Sequence, residues 1–177
     1  AGVKGFYEQH GADYRNPHEP VVIEVLTRLV GRWPLDLGRV LDLACGSGEA
    51  TLALRSLGAR SISGMDPYTG AAYQERTGQT AEAFTFEAIA GGALAGRSYT
   101  LIVCSFALHL VPASRLPALA FQLARLAPHL IILTPHKRPV LKPEWGWALQ
   151  DELLLERVRG RLYQSVSTAA SGERPLN

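Results

Sequence analysis

Two acidic residues and a glycine turn occupy positions where a ligand could be held. Asp42 lies in an apolar run that leads into Gly46-Ser47-Gly48, and Asp66 ends the next apolar run along the chain. Glycines let the backbone turn sharply and approach a ligand closely, and the helix that follows offers free N–H donors. A carboxylate placed like Asp66 can accept the hydrogen bonds of a ribose diol. The pattern therefore indicates a ligand of the nucleotide type.

The kind of nucleotide depends on the residues around the glycine turn. A dinucleotide site requires a third glycine three positions after the second, where this chain has Thr51. The negative charge of Asp42 would repel a pyrophosphate, but it suits a ligand with a cationic amino group. The alternative is that Asp42 and Asp66 only cap the turn and the helix that follow them. We favour ligand binding by both residues, and an NAD-dependent oxidoreductase is disfavoured.

The elements around these residues alternate between strand and helix patterns. Strands are predicted at residues 39–44, 61–66, 83–89, 99–105 and 130–134, and helices at residues 21–30, 49–57, 69–77 and 117–126. Such alternation predicts an α/β fold with a mostly parallel sheet between two layers of helices. Beyond Thr134, residues 145–155 are predicted as a helix and residues 157–166 as a half-exposed strand.

Length and composition limit the function classes. The chain has 177 residues, which suits a single domain, and its 47% hydrophobic and 19% charged residues are ordinary for a globular protein. A formal net charge of +2 is too small to indicate nucleic acid. Neither a signal peptide nor a membrane span is expected from the apolar runs. Cys45 and Cys104 lie in strand-like runs, so we expect reduced core thiols and a cytoplasmic location.

Several segments resemble one family of enzymes. Residues 40–51 (VLDLACGSGEAT) resemble the first motif of the class I S-adenosylmethionine (SAM)-dependent methyltransferases, and residues 63–68 (SGMDPY) resemble the second. Residues 101–109 are similar to the fourth strand and loop of small-molecule members such as the quinone-biosynthesis methyltransferases, and residues 130–135 fit the fifth strand. The resemblance implies a Rossmann-like, doubly wound α/β/α sandwich, SAM as cofactor, and methyl transfer to a small-molecule acceptor.

The resemblance also implies cofactor contacts for individual residues. Those implied for the methionine moiety are Asp42, Ala44, Gly46 and Gly48. Those implied for the ribose and adenine are Asp66, Pro67, Tyr68, Ala88 and Ile89, the last two through their backbone. Those implied beside the sulfonium methyl are Ser105 and Phe106.

Histidines and aromatic residues supply candidates for catalysis and acceptor binding. His109 follows the fourth strand at the edge where open α/β sheets bind ligands, and an imidazole takes a proton near neutral pH. Our hypothesis is that His109 is the general base; the alternative is a core or helix-capping histidine. In the enzymes that the chain resembles, the N-terminal segment forms a lid over the cofactor. The resemblance therefore implies lid or acceptor contacts for Tyr7, Tyr14 and His18; the alternative is that these residues pack on an ordinary surface helix. His136, after the fifth strand, is a further acceptor-side candidate.

The segment after the fifth strand is rich in basic and aromatic residues. Its members are His136, Lys137, Arg138, Lys142, Trp145 and Trp147. They could hold an acidic or aromatic acceptor, contact RNA phosphates, or form a solvated turn followed by core tryptophans. The histidines of the chain show no zinc-ligand spacing, and no metal site is expected.

The chain departs from the family pattern in three places. The family sheet normally ends in an antiparallel hairpin, but only one C-terminal strand is predicted. Either that edge is shortened, or residues 145–155 are a strand. Residues 87–91 lack the acidic residue that often accepts the adenine amino group, and Glu87 lies slightly early. Thr100 replaces the acidic residue that often starts the fourth strand.

The predicted domain is single and has three parts. Within residues 1–177, residues 1–36 form the lid and helices, residues 37–135 the SAM-binding core, and residues 136–177 the acceptor-side segment. Two alternatives stay open: an RNA methyltransferase, which the loop at residues 104–107 (CSFA) disfavours, and an inactive binding or scaffold protein with the same fold. Neither a nucleic acid nor a membrane partner is expected. A homodimer would cover an unpaired sheet edge.

Overall fold

The described part of the chain, residues 16–166 of a computed structural model, is built around one six-stranded β-sheet. The strands are β1 (Val40–Leu43), β2 (Ile62–Met65), β3 (Leu101–Ser105), β4 (His129–Thr134), β5 (Trp147–Leu155) and β6 (Val158–Ser165). Their order is β2-β1-β3-β4-β6-β5. The first four strands in that order are parallel, and β6 is antiparallel to both of its neighbours.

Helices cover both faces of this sheet. They are α1 (Glu19–Arg32), α2 (Glu49–Ser56), α3 (Gly70–Thr77), α4 (Phe86–Ala90) and α5 (Leu116–Ala124), with short 3₁₀ helices at Leu108–Leu110 and Pro143–Trp145. Within α1, the buried residues recur at helical spacing: Val22, Val25, Leu26 and Leu29. None of the helices in residues 16–166 is long and apolar enough to cross a bilayer.

The core consists of two apolar clusters, one on each face of the sheet. Alternate residues of a strand point to opposite faces, so Leu41 and Ile102 join one cluster while Val40 and Leu101 join the other. Helix α5 packs in the first cluster, and helices α1 and α2 pack in the second. Strands β1 and β3 are buried on both faces, which explains their continuous apolar sequences. The predicted α/β/α sandwich with a mostly parallel sheet is confirmed.

The C-terminal edge of the sheet is complete, and the prediction of a helix at residues 145–155 is wrong. Trp147–Leu155 is strand β5, which pairs with β6 along its length and has an irregularity between Leu149 and Asp151. The hairpin turn places Glu156 and Arg157 at φ 45° and 68°. Turns of this kind usually carry Asn-Gly or Asp-Gly, so Glu-Arg gives no hairpin signal in the sequence. The edge is therefore not shortened.

The opposite edge of the sheet is the short one, and the prediction of a strand at residues 83–89 is wrong. This region contributes only an isolated bridge between Met65 and Glu82. Helix α4 begins immediately afterwards, and the Thr85 side chain accepts a hydrogen bond from the Ala88 N–H at 3.1 Å. The spacing of the apolar residues in this segment is compatible with either a strand or a helix, but the N-terminal cap at Thr85 favours a helix. This change of element reshapes one wall of the candidate site.

Candidate functional site

A pocket of about 280 Å³ opens at the carboxyl ends of β1, β2 and β3. Open α/β sheets bind ligands at this edge, beside the point where the strand order reverses. The pocket is lined by Leu43, Ala44, Gly46, Met65, Asp66, Pro67, Tyr68, Thr69, Phe84, Thr85, Phe86, Glu87, Ser105, Phe106, Ala107, Leu110, Val111 and Pro112. Seven residues predicted from the motifs are among them: Ala44, Gly46, Asp66, Pro67, Tyr68, Ser105 and Phe106.

The turn between β1 and α2 follows an unusual backbone path. Ala44, Gly46 and Gly48 all have positive φ angles, of 54°, 55° and 93°. The Cys45 N–H donates to the Met65 carbonyl at 3.0 Å, which ties the turn to β2. A Cβ atom on Gly48 would lie 2.5 Å from the Thr77 Cγ2 atom of α3. Gly48 lies outside the pocket wall, and its described contacts pack the turn against α3.

Replacing Gly48 by alanine tests this packing. We expect Gly48→Ala to lower the free energy of unfolding by about 2–4 kcal/mol, because left-handed strain adds to the clash with α3. Gly58→Ala is the matched control, since Gly58 has φ 102° but a Cβ atom added there would meet nothing within 4 Å. It should cost only about 1 kcal/mol. Equal losses of the two variants in chemical denaturation would contradict the packing argument.

Asp66 joins the two loops that form the base of the pocket. Its Oδ1 accepts hydrogen bonds from the N–H groups of Tyr68 (2.8 Å) and Thr69 (3.1 Å), and its Oδ2 accepts from the Gly46 N–H at 3.3 Å. The carboxylate therefore caps the turn before α3, as the alternative interpretation held, and also lies in the pocket wall. A carboxylate offers about four acceptor positions, so it retains capacity for a ligand hydroxyl.

Asp42 lies beneath the glycine turn and outside the pocket wall. Its side chain is fully buried, and its Oδ2 accepts from the Thr51 N–H at 3.1 Å and the Thr51 hydroxyl at 2.7 Å. The Thr51 hydroxyl also lies 3.0 Å from the Tyr73 hydroxyl of α3. Burial raises the pKa of Asp42 to about 8. In this position Asp42 Oδ2 holds α2 against β1, while Oδ1 is buried and has no hydrogen-bond partner among the described residues.

The wall on the β2 side is formed by residues 84–87, of which only Glu87 was considered from the sequence. Phe84, Thr85, Phe86 and Glu87 line the pocket, whereas Ala88 and Ile89 lie farther along α4 and outside the wall. The predicted adenine contacts at residues 88 and 89 assumed a strand at this position. In the helix that forms instead, these two residues lie away from the pocket. Thr85 as a helix cap was the signal in the sequence that could have found this wall.

The loop after β3 forms the other wall. Phe106 has φ 56°, and its N–H donates to the Leu133 carbonyl at 2.7 Å. Positive φ at a bulky residue is uncommon and often marks a functional site. The remaining contributions of this loop to the wall, not predicted from the sequence, are Ala107, Leu110, Val111 and Pro112. His109 lies in the same loop but is exposed and outside the wall.

Two ring contacts bring the predicted acceptor-side histidines to the edge of the pocket. His18, at the start of α1, stacks on Phe106 with centroids 5.3 Å apart. The rings of His109 and His136 lie 4.5 Å apart. Partial desolvation of its exposed ring, and then the neighbouring His136, lower the pKa of His109, which favours the neutral imidazole. Tyr7 and Tyr14 lie outside the described residues.

The chain segment that carries His18 is anchored on the glycine turn. The Asn16 N–H donates to Glu49 Oε1 at 3.1 Å, and the Ser47 hydroxyl donates to the same oxygen at 2.8 Å. The Asn16 side chain in turn accepts from the His18 N–H at 2.9 Å. Because Asn16 and Glu49 are both buried, this network fixes His18 relative to the turn.

The two C-terminal tryptophans lie away from the pocket. Trp147 is fully buried, its indole N–H donates to the Ala120 carbonyl at 2.9 Å, and it pairs with Ser165 near the amino end of β4. The Lys142 ammonium lies over the Trp145 ring, 5.2 Å from its centroid. The interpretation of Trp147 as an acceptor contact is therefore wrong, because the chain has returned to the opposite edge of the sheet. Within residues 16–166, no cluster of three or more metal-ligating side chains occurs.

Comparison with known proteins agrees with this arrangement. Residues 14–168 match the family model described as a methyltransferase domain. An uncharacterized protein of Schizosaccharomyces pombe is 32% identical, over 93% of this chain and 89% of its own length.

Solved structures share the fold at low sequence identity. The magnesium protoporphyrin IX methyltransferase of Synechocystis PCC 6803 with bound SAM is 20% identical, with a TM-score of 0.61 over 92% of this chain and 91% of its own. A protein from Pyrococcus horikoshii OT3 is 14% identical, with a TM-score of 0.67 over 93% of this chain and 100% of its own. The chain thus belongs to the methyltransferase-domain family, which confirms its identification as a class I SAM-dependent methyltransferase.

Proposed function

We propose that the pocket binds SAM and that the chain transfers its methyl group to a small-molecule acceptor. The observation that carries this proposal is the convergence of seven motif residues from three strand ends on one pocket, with the Asp66 carboxylate in its lining. In this proposal, residues 37–135 form the cofactor-binding core, and the segments before and after it form the acceptor side.

The chemistry of the wall fits this cofactor. Asp66 offers an acceptor for a ribose hydroxyl, and Phe84 and Phe86 offer apolar rings for an adenine. The Thr69 hydroxyl, also in the wall, is buried and has no hydrogen-bond partner among the described residues. A buried polar group without a partner costs free energy, and a polar group of a bound ligand would remove that cost.

The work of the chain in methyl transfer is mainly positioning. Bound SAM supplies a methyl group activated by its sulfonium. Ser105 and Phe106 define the wall at the end of β3, so they restrict the approach of the acceptor to one direction. Holding two reactants in line can contribute roughly 7–11 kcal/mol. His109, as a neutral imidazole on the acceptor side, would remove a proton from the acceptor, and its exposed ring would release that proton to solvent.

A small molecule is favoured over RNA as the acceptor by the loop after β3. Residues 104–107 lack the Asn/Asp-Pro-Pro-aromatic sequence of enzymes that methylate base amino groups. The related Synechocystis enzyme is named for a small-molecule substrate. The free, buried Cys45 and Cys104 support a cytoplasmic location. The outer edge of β5 is where a homodimer would form.

Thermal denaturation with added nucleotides tests the proposed cofactor. A ligand that binds only the folded state raises the unfolding temperature, and a tighter ligand raises it more at the same concentration. We expect SAM and S-adenosylhomocysteine to raise the unfolding temperature and NAD to leave it unchanged. Stabilisation by NAD, or by none of the three, would contradict the proposal.

A further inference from the structure

Two pairs of rings lie where the pocket meets the acceptor side, and together they are called the ring cluster below. The ring cluster consists of His18, Phe106, His109 and His136, which form two contacts of 5.3 Å and 4.5 Å. Phe106 belongs to both the ring cluster and the pocket wall. Three of the four residues follow the carboxyl ends of the paired strands β3 and β4, and the stack on Phe106 brings the fourth, His18, to the same edge. A flat molecule placed beside the pocket would therefore meet ring faces and edges.

A cationic turn continues this surface. Residues 135–139 (PHKRP) carry Lys137 and Arg138, which are exposed and form no ion pair with any residue in the described range. The turn is held from below by Arg161, which is 3% exposed and donates to the carbonyls of Lys137 at 2.6 Å and Pro139 at 3.2 Å. The backbone that carries the two exposed cations is thus fixed by a buried guanidinium.

The carboxylates near the ring cluster already have partners. Residues 106–114 and 135–141 include no aspartate or glutamate. Beside His18, Glu19 forms an ion pair with Arg76, and Glu49 accepts hydrogen bonds from Asn16 and Ser47. In the pocket wall the carboxylates are Asp66 and Glu87, and both belong to the segments that follow β2. The carboxylate beside Arg161 is Glu152, with 3.6 Å between Arg161 Nε and Glu152 Oε2. Lys137 and Arg138 form no ion pair with these carboxylates, and unpaired cations create a potential that attracts an anion.

On the basis of the proposed function, we propose that the methyl acceptor is a small planar anion. Its ring lies against the ring cluster, and its anionic group is held by the cationic turn. Aromatic rings and imidazoles favour flat ligands, and a hydrogen bond from Lys or Arg to an anion is stronger than one between neutral groups. RNA would share the negative charge, but four rings beside a pocket of about 280 Å³ fit a single small molecule.

Binding of matched probes tests the two parts of this proposal. With the protein saturated by S-adenosylhomocysteine, titration calorimetry would compare naphthalene-2-carboxylate with naphthalene-2-carboxamide and decahydronaphthalene-2-carboxylate. Naphthalene-2-carboxylate has both the planar ring and the charge, the carboxamide lacks the charge, and the decahydro compound lacks the planar ring. We expect the carboxylate to bind about tenfold more tightly than either analogue, which corresponds to about 1.4 kcal/mol.

Charge reversal locates the anion. Lys137→Glu should weaken binding of naphthalene-2-carboxylate about tenfold or more, whereas Arg60→Glu, at an exposed residue before β2, should change it less than about twofold. Equal binding of all three probes, equal effects of the two variants, or no binding of the carboxylate would overturn the inference. Displacement of the carboxylate by short single-stranded RNA, with steep salt dependence, would overturn it in favour of nucleic acid. Binding of S-adenosylhomocysteine in the same samples reports separately on the proposed function.

Discussion

We expect the difference in unfolding free energy between Asp42→Asn and the unchanged protein to shift steadily in favour of the variant as pH rises from 5 to 8. The pKa of Asp42 is raised from 3.8 to about 8, mainly by burial. Between these values the unfolded chain has released the proton that the folded chain retains, so rising pH favours unfolding. The group therefore contributes stability that is complete below pH 4 and is lost as pH approaches 8. An amide at this position never ionises and removes the dependence.

The expected size of this effect is large for one side chain. Three pH units correspond to about 4 kcal/mol in the difference between the two unfolding free energies. Chemical denaturation at pH 5 and pH 8 measures that difference. Asp151→Asn is the control, because the Trp33 indole and Arg32 lower the pKa of Asp151 and it stays ionised throughout this range. A difference for Asp42→Asn that is the same at both pH values would contradict the burial argument.

His109→Ala should produce the largest loss of activity outside the cofactor pocket. If the imidazole removes the acceptor proton, its loss should lower kcat by about 10²–10⁴-fold. The neutral form is the active one, so activity should fall as pH decreases through the pKa of His109. Because burial and His136 lower that pKa, the fall should lie below the ordinary midpoint of 6.5.

Two further variants separate catalysis from packing. His136→Ala should move the acid limb of the rate profile to higher pH, because one of the two causes that lower the pKa of His109 is removed. His129→Ala should leave the rate unchanged, since His129 is also partly buried but begins β4 at the opposite edge of the sheet. An unchanged rate for His109→Ala with the first accepted substrate would remove its assignment as a base.

The strand ends that build the pocket could be predicted from the sequence because local signals agreed with the fold. Gly46 and Asp66 lie next to continuous apolar runs, and such runs are typical of strands buried on both faces. The resulting edge of the sheet therefore followed from the order of elements alone. The direction of the Asp42 side chain could not be predicted in this way. In a strand that is buried on both faces, the apolar pattern does not show which face a given side chain lies on.

Segments whose turn chemistry is atypical could not be predicted. The β5–β6 hairpin turns at Glu156 and Arg157, whose positive φ angles no sequence rule associates with these residue types. The short helix α4 depends on the cap at Thr85, a signal that competes with an equally good strand pattern. The wall formed by Leu110, Val111 and Pro112 depends on the path of an irregular loop, which apolar periodicity does not describe.

Titration calorimetry with SAM and with S-adenosylhomocysteine is the measurement that tests the central claim most directly. The unchanged protein should bind both with micromolar dissociation constants, which correspond to about 8 kcal/mol. Asp66→Ala should lose this binding, because the carboxylate holds the two loops and is the proposed acceptor for the ribose hydroxyls. Glu82→Gln, outside the wall, should retain it. A folded protein that binds neither compound, or an Asp66→Ala variant with unchanged affinity, would contradict the account.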